Sequence, residues 1–173
     1  MTTCPQPATE TLRDGSHVVI RPISRTDLDL ERNFIAALSP QARWFRFLNA
    51  TGVPSEALLK QLTDIDDERD VALVALTDDK GRQIEVGVAR FSTTSGHKAE
   101  VAVVVSDDWR HRGLGTALMT RLVSIARERG IKTLYSVDVA HNHPMHKFAE
   151  RLGFDRKPDP DDATQVIHTL RLN

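Results

Sequence analysis

The sequence predicts an α/β protein whose central sheet is mixed but mostly antiparallel and is flanked by helices. Three apolar, strand-like runs follow one another between residues 71 and 105 with only short turns between them, which is typical of an antiparallel meander. Helical periodicity precedes this meander, and a strand–helix–strand–helix–strand order follows it. The chain has 173 residues, 40% hydrophobic and 27% charged, which suits one domain with a real core.

The N-terminal third of the chain contains a loose segment, one strand and three helices. We expect residues 1–16 to be a flexible leader and residues 17–173 to form a single domain. Pro22 helps to end the first strand, and typical N-capping side chains stand before the helical patterns. The predicted elements are a strand over 17–23, a helix through 28–38 capped by Ser24 or Thr26, a short helix over 41–48, and a helix through 58–62 capped by Ser55.

The rest of the chain contains the meander and the alternating strands and helices. Val101–Val105 is nearly all apolar, so this strand needs cover on both faces and belongs in the centre of the sheet. Gly130 and Gly153 are placed to end the two helical patterns. The predicted elements are strands over 71–76, 84–91 and 99–105, a helix over 113–128, a strand over 133–140, a helix from 144 through 152, and a strand over 164–172.

The segment Arg110–Thr116 joins the central strand to the long helix with the sequence Arg-His-Arg-Gly-Leu-Gly-Thr. A glycine-rich turn at a helix start leaves backbone N–H groups unpaired, and the helix dipole adds positive charge, so this arrangement suits phosphate. Arg110 and Arg112 add full charges that suit a pyrophosphate. The segment lacks the lysine of a Walker A loop and the third glycine of a dinucleotide-binding turn. The alternative is a helix-capping turn with two solvated arginines.

With a second motif, this segment resembles the acetyl-CoA loop of the GCN5-related N-acetyltransferase (GNAT) family. The first motif is Arg-x-x-Gly-x-Gly after an apolar strand; the second is Asn142, Met145 and Arg151–Phe154 around the next helix. The resemblance covers residues 17–172. It implies a GNAT-like splayed sheet flanked by helices, acetyl-CoA as the cosubstrate, and transfer of an acetyl group to an amine.

The same resemblance implies which residues bind acetyl-CoA. The pantetheine arm is expected to pair with the backbone of the third meander strand, the pyrophosphate is expected on the glycine loop, and Asn142 is expected to help hold the cofactor. The implied cofactor-binding residues are Val103, Val104, Val105, Arg110, His111, Arg112, Gly113, Leu114, Gly115, Thr116 and Asn142.

Two stretches resemble one branch of this family. Residues 38–47 and 99–105 look like the acetyltransferase domain of bacterial protein-lysine acetyltransferases that modify acyl-CoA synthetases. The implied acceptor is a lysine of such a synthetase or of another protein. In that case Trp44, Phe45 and Phe47 are expected to wall the acceptor site.

Glu100 is the candidate general base, because it is the only charged side chain in the strand 99–105. A lysine amine, with a pKa of about 10.4, is mostly protonated at neutral pH, so a base or a water relay must remove a proton before attack. In the related lysine acetyltransferases a glutamate at this motif position is the base, and the resemblance gives Glu100 that role. Apolar neighbours would make a carboxylate there a stronger base. The alternative is a solvated glutamate near the end of a strand.

The proton donor is less clear from the sequence. Many family members have a tyrosine in the last helix, at the position that Ala149 occupies here, and the only tyrosine of this chain is Tyr135. The thiolate, with a thiol pKa near 8.5, is a tolerable leaving group without an acid. His146, one helical turn before Ala149, is an alternative donor, and Asp138 is a candidate for binding the amine.

Composition excludes several other classes of function. A formal net charge of −1 without a basic stripe excludes a nucleic-acid partner, and the sequence has no apolar stretch near the ~18 residues needed to span a membrane. Met1–Pro7 does not read as a signal peptide, so we expect a cytoplasmic protein. Cys4 is the single cysteine, and His141, His143 and His146 lack a carboxylate at ligand spacing, so no metal is expected.

Two alternatives to protein acetylation stay open. Protein-lysine acetyltransferases often carry extra domains for which this chain has no room, so a small amine (a polyamine, an amino acid or a drug) is the close alternative acceptor. A non-catalytic module that senses acetyl-CoA is the alternative from another class, and Glu100 argues against it. The sequence allows a monomer or a homodimer.

Overall fold

The computed structural model describes residues 5–47 and 53–173, in which eight strands form one sheet in the order β1-β2-β3-β4-β5-β6-β8-β7. The strands are β1 Ala8–Thr11, β2 His17–Pro22, β3 Asp70–Asp79, β4 Arg82–Ser95, β5 Lys98–Val105, β6 Thr133–Val139, β7 Asp155–Pro158 and β8 Gln165–Arg171. The helices are α1 Leu28–Ala37, α2 Pro40–Phe47, α3 Glu56–Thr63, α4 Leu114–Glu128 and α5 His143–Arg151.

The pairing of the strands confirms the predicted mixed, mostly antiparallel sheet. Strands β1 to β5 form a continuous antiparallel meander, β5 and β6 pair in parallel, and β8 pairs antiparallel with both β6 and β7. The parallel step follows from the crossover through α4, because a helix between two strands returns the chain to the same end of the sheet. Strand β5 lies in the interior of the sheet, as its apolar sequence predicts.

The two faces of the sheet carry separate hydrophobic cores. On one face, Leu114, Leu118 and Leu122 of α4 pack with Phe91 and Leu134 of the sheet. On the other face, α1, α2 and α3 cover the opposite side chains of β3 and β4; the buried residues there include Phe34, Ile35, Leu59, Val74 and Val88. This division follows from the alternation of side chains along each strand.

Local sequence explains where several elements begin. Ser24 and Asp27 form a capping box, and Ser55 caps α3 by accepting a hydrogen bond from the N–H of Leu58 at 3.1 Å. Lys80 and Gly81 both have positive φ, at 52° and 81°, which matches the two-residue turn of a β3–β4 hairpin.

Three regions differ from the sequence prediction or lie outside the described residues. Ala8–Thr11 forms β1 rather than part of a flexible leader, because it pairs with β2 and places Leu12 in the core. Residues 155–158 form β7, an exposed edge strand without the alternating apolar pattern that would have predicted it. Cys4 and Leu48 lie outside the described residues. No helix in residues 5–47 or 53–173 is both long and apolar enough to cross a membrane.

Candidate functional site

A cleft of about 530 Å³ opens where β5 and β6 stop pairing. The last pair of their parallel ladder joins Glu100 to Tyr135, and beyond this pair the ladder ends. One wall of the cleft comes from β5 and the start of α4, and the other comes from β6 and α5. The splay predicted for the sheet is therefore present, and it opens the interior of the sheet rather than its edge.

The wall formed by β5 offers a free strand edge to an extended ligand. Val103, Val104 and Val105 pair with β4 on one side, and on the other side the ladder to β6 has already ended. Ser106 donates to the carbonyl of Val86 in β4, so by alternation the N–H and C=O groups of Val103 and Val105 point away from β4. These groups can form hydrogen bonds with an extended chain that carries amides, as added strands do in β-augmentation. All three residues are half-buried and line the cleft, where a pantetheine arm was expected.

The start of α4 forms the end of this wall. The first helical hydrogen bond of α4 runs from the N–H of Ala117 to the carbonyl of Gly113 at 3.0 Å, so the preceding amides have no helical acceptor. Gly113 has φ of 87°, a conformation that favours glycine. A Cβ on Gly115 would lie 3.1 Å from the ring of Phe148, so this residue must stay small. The loop therefore presents backbone N–H groups to the cleft at close range, as a phosphate site requires.

Not all of the cationic side chains expected at this loop line the cleft. Arg110, His111 and the residues from Gly113 to Thr116 line the cleft, but Arg112 does not. The Arg112 guanidinium pairs with Asp14 at 3.2 Å, donates to the carbonyl of Asp108 at 2.8 Å, and stacks on Trp109 at 4.4 Å. These contacts hold Arg112 outside the cleft, and its expected role at a pyrophosphate stays a prediction.

Arg13, which the sequence analysis missed, lies in the cleft instead. Its side chain is 3.2 Å from where a Cβ of Gly113 would stand, and its backbone N–H donates to the carbonyl of Arg112 at 3.1 Å. Arg110 keeps its place in the cleft while it pairs with Asp107 at 3.2 Å. The positive charge beside the α4 N-terminus thus comes from Arg13 and Arg110.

Asn142 lies in the second wall, at the start of α5. Its Oδ1 accepts a hydrogen bond from the N–H of Met145 at 3.3 Å, so the side chain caps the helix. The residue is buried and lines the cleft. The amide nitrogen is the part of this side chain that is left for a ligand.

The acceptor side of the cleft combines Glu100 with Arg46 and Phe45. Glu100 is exposed rather than enclosed by apolar groups. Burial lowers the pKa of the Arg46 guanidinium to about 10, and nearby Arg90 adds to this lowering. Arg46 has no ion pair with any residue that the structure describes, although its guanidinium lies over the Phe47 ring at 4.9 Å.

Of the three aromatic residues expected around the acceptor, one reaches the cleft. Phe45 lines it, with its ring 5.6 Å from that of His141. Trp44 is 43% exposed and Phe47 packs against the core beneath α1, and neither lines the cleft. Helix α2 turns successive side chains by about 100°, so neighbouring aromatics cannot all face one side.

The candidate proton donors differ in whether they line the cleft. Ala149 lines the cleft at the usual tyrosine position, whereas Tyr135 lies outside it. His146 is buried and hydrogen-bonded to His168 and to the carbonyl of Ala140, so it does not face the cleft as a donor. Asp138 does line the cleft. Within the described ranges, no group of three His, Cys, Asp or Glu residues is arranged to hold a metal ion.

Comparison with known proteins agrees with this geometry. The model of the acetyltransferase (GNAT) family matches residues 40–154. An acetyltransferase of Pseudomonas aeruginosa, PA5475, is 45% identical over 164 residues, which cover 94% of this chain and 88% of that protein. The GNAT domain of S. lividans PAT is similar with a TM-score of 0.86 and 26% identity, covering 96% of this chain and 97% of that domain. The structure of yncA from Salmonella typhimurium with its cofactor acetyl-CoA shares the fold, with a TM-score of 0.70 and 19% identity, over 91% of this chain and 95% of that one.

Proposed function

The chain belongs to the acetyltransferase (GNAT) family, whose acyl donor is acetyl-CoA, and from this premise we propose that it acetylates a lysine side chain of a protein. The observation that carries the proposal is the position of Glu100, an exposed carboxylate at the point where the sheet splits. The cytoplasm, where acetyl-CoA and acyl-CoA synthetases occur, is the proposed location.

We place acetyl-CoA on the β5 wall. The free edge of Val103–Val105 suits the pantetheine amides, and the N-terminus of α4 with Arg13 and Arg110 suits the pyrophosphate. The amide nitrogen of Asn142 faces the same space. This placement leads the thioester along β5 towards Glu100, because the strand runs from Glu100 to the glycine loop.

Glu100 then acts as the general base. An incoming ammonium loses one proton to the carboxylate, directly or through a water, and the neutral amine attacks the thioester carbonyl. Because the carboxylate is exposed, the protonated glutamate can pass its proton to solvent between turnovers. Exposure also lets a bulky acceptor approach, which supports a protein substrate, and so does the likeness to the GNAT domain of S. lividans PAT.

One observation favours a second candidate acceptor. The guanidinium of Arg46 lies at the cleft with no ion-pair partner among the described residues, although the carboxylates of Glu100 and Asp138 are close enough to affect its pKa. An amino acid, which carries both an amine and a carboxylate, would supply that partner. A polyamine would instead bring further positive charge towards Arg46.

The test is acetylation by the purified chain of an acyl-CoA synthetase, compared with a panel of free amino acids, polyamines and aminoglycoside drugs. Release of CoA thiol gives the rate, and mass spectrometry identifies the modified lysine. Glu100→Gln should lower kcat/KM for the acceptor by about 100-fold to 1,000-fold, while calorimetric binding of acetyl-CoA stays unchanged. Glu128→Gln, an exposed glutamate on α4, is the matched control.

Different outcomes separate the candidates. Faster turnover of amino acids than of the synthetase would favour the small-molecule acceptor. Tight acetyl-CoA binding without acetylation of any amine would favour a sensor module. Full activity of Glu100→Gln would show that another group removes the proton.

A further inference from the structure

A chain of buried polar groups leads from the second wall of the cleft into the protein. Asp138 Oδ2 lies 2.8 Å from His168 Nδ1, and His168 Nε2 lies 3.1 Å from His146 Nδ1. His146 Nε2 lies 2.8 Å from the carbonyl oxygen of Ala140. Ser136 Oγ donates to Asp138 Oδ2 at 2.8 Å. His168 and His146 are buried, whereas Asp138 reaches the cleft.

The hydrogen bonds of this chain fix where its protons are. A carbonyl oxygen only accepts, so His146 carries its proton on Nε2. Burial lowers the pKa of His146, with a further contribution from His168, so this ring is neutral and its Nδ1 accepts. His168 must therefore donate from Nε2 to His146. At 2.8 Å, the remaining contact between His168 Nδ1 and Asp138 Oδ2 also needs a proton, since two acceptors would repel.

The Asp138–His168 pair thus holds one proton more than a carboxylate beside a neutral imidazole. Asp138 Oδ2 is already occupied by His168 and Ser136, which leaves Oδ1 for the cleft. The side chain of Asp138 is 14% exposed, while that of His168 is 1% exposed. The proton is stored away from solvent and reaches the cleft only through Asp138.

The strand register places this pair opposite the proposed thioester site. Glu100 pairs with Tyr135 at the end of the parallel ladder. Val103 and Asp138 each lie three residues further along their strands, so they would be partners if the ladder continued. Because side chains alternate, both lie on the same face of the sheet. Val103 and Asp138 therefore lie opposite each other across the gap between β5 and β6.

We propose that the Asp138–His168 pair is the proton donor to the leaving sulfur, in place of the tyrosine that Ala149 replaces. Asp138 is the catalytic residue in this proposal, and His168 and His146 are positioning residues. The proposal rests on the proposed acetyl transfer, and its test distinguishes the two.

Every proton and electron pair in this step is accounted for. The amine nitrogen forms a bond to the carbonyl carbon, the carbon–sulfur bond breaks, and its electron pair goes to sulfur. The proton of the Asp138–His168 pair moves to that sulfur and gives the free thiol. Of the two protons that the original ammonium loses, one leaves through Glu100 to solvent and the second reloads the pair.

Several charged or titratable groups lie near the Asp138–His168 pair. They come from every element packed around this end of the cleft: Arg46 of α2, Glu100 of β5, His146 of α5 and Arg156 of β7. The charges of Glu100 and Asp138 both act to raise the pKa of Arg46, so these two carboxylates share one nearby cation.

The experiment compares Asp138→Asn with wild type and with Asp155→Asn, an exposed aspartate of β7. At saturating acetyl-CoA and acceptor, Asp138→Asn should lower kcat by about 10-fold to 100-fold. KM for the amine should stay within about 3-fold, as for a group that acts after binding. His168→Gln should lower kcat in the same direction by a smaller factor.

Three results would overturn the proposal. A rise in amine KM without loss of kcat would make Asp138 a binding residue. A readout independent of turnover is the proton on His168 Nδ1, expected as a downfield NMR resonance that disappears in Asp138→Asn; its absence from wild type would remove the proton store. Loss of activity in Glu100→Gln with normal kinetics in Asp138→Asn would reject this inference and keep the proposed function.

Discussion

The part of the sheet directly under α4 is packed with apolar side chains, whereas the face under α1 also buries Glu31 and Glu85 and nearly buries Arg90. Beneath α4, leucines contact the sheet closely: a Cβ on Gly87 would lie only 3.1 Å from the side chain of Leu118 and 3.2 Å from that of Leu114. Beneath α1, both carboxyl oxygens of Glu85 and one of Glu31 have no hydrogen-bond partner in the described part of the chain. One face is a rigid apolar support, and the other contains incompletely compensated charge.

This difference separates the two halves of the proposed reaction. The donor site stands on α4, so its backbone geometry depends on packing and is insensitive to pH. The acceptor side stands on α2 and on neighbouring charged residues, so its stability responds to protonation. Variants can test this comparison. The first concerns the acetyl-CoA site at the start of α4, where we expect the largest effect.

The strongest test of the proposed acetyl-CoA site is Gly115→Val. The new side chain would meet Phe148 at 3.1 Å and Val105 at 3.8 Å, and would fill the space where the α4 amides face the cleft. We expect KM for acetyl-CoA to rise about 100-fold, which corresponds to the loss of one or two hydrogen bonds to a charged group. Initial rates and CoA calorimetry measure this change. Thr120→Val, on the exposed side of the same helix, should leave KM unchanged; an equal KM in both variants would contradict the donor site.

A pair of arginine variants tests which cations serve the donor site. Arg13→Ala should raise KM for acetyl-CoA about 10-fold, as expected for one lost charge-assisted contact. Arg112→Ala should change KM by less than about 3-fold but should lower Tm by about 3 °C, because it removes the contacts to Asp14 and Trp109. The same kinetic assay and thermal unfolding measure both. The reverse pattern would mean that the loop rearranges around its ligand.

Sequence reasoning reaches the side of the cleft formed by β5 and α4 because its parts are contiguous. The apolar run of β5, the glycines of the loop and the first turn of α4 are continuous in sequence, and together with the motif around α5 they predict an acetyl-CoA site there. Arg13 and Arg112 escape this reasoning. Which of them reaches the cleft depends on the pairing of β1 with β2, and the sequence before β2 suggested only a leader.

The second wall of the cleft, formed by β6 and α5, is harder to predict because its residues meet only in the folded sheet. Ser136 and His168 face each other through the β6–β8 register, which brings His168 to Asp138. His146 then joins from α5. No spacing rule links these positions. The buried Glu31 and Glu85 are missed for a related reason, since a glutamate on an amphipathic helix or a strand end is ordinarily read as solvated.

The smallest expected effect concerns Glu85 and tests the charged face. Burial raises the pKa of the Glu85 carboxyl well above its ordinary value, and repulsion by Glu31 raises it further. A raised pKa in the folded state means that folding favours the protonated form. The stabilisation is fully present below the unfolded pKa of about 4.5 and is lost as pH rises through the folded value.

Glu85→Gln removes this titration while keeping the shape of the side chain. We expect the free energy of unfolding at pH 8 to rise by about 1 kcal/mol relative to wild type, with the gain shrinking towards pH 5, because wild type and variant are then both uncharged at this position. Urea unfolding at several pH values measures this difference, and Glu128→Gln should show none. A variant less stable than wild type at pH 8 would mean that Arg90 needs a charged Glu85, and that the α1 face is held together by its charges rather than weakened by them.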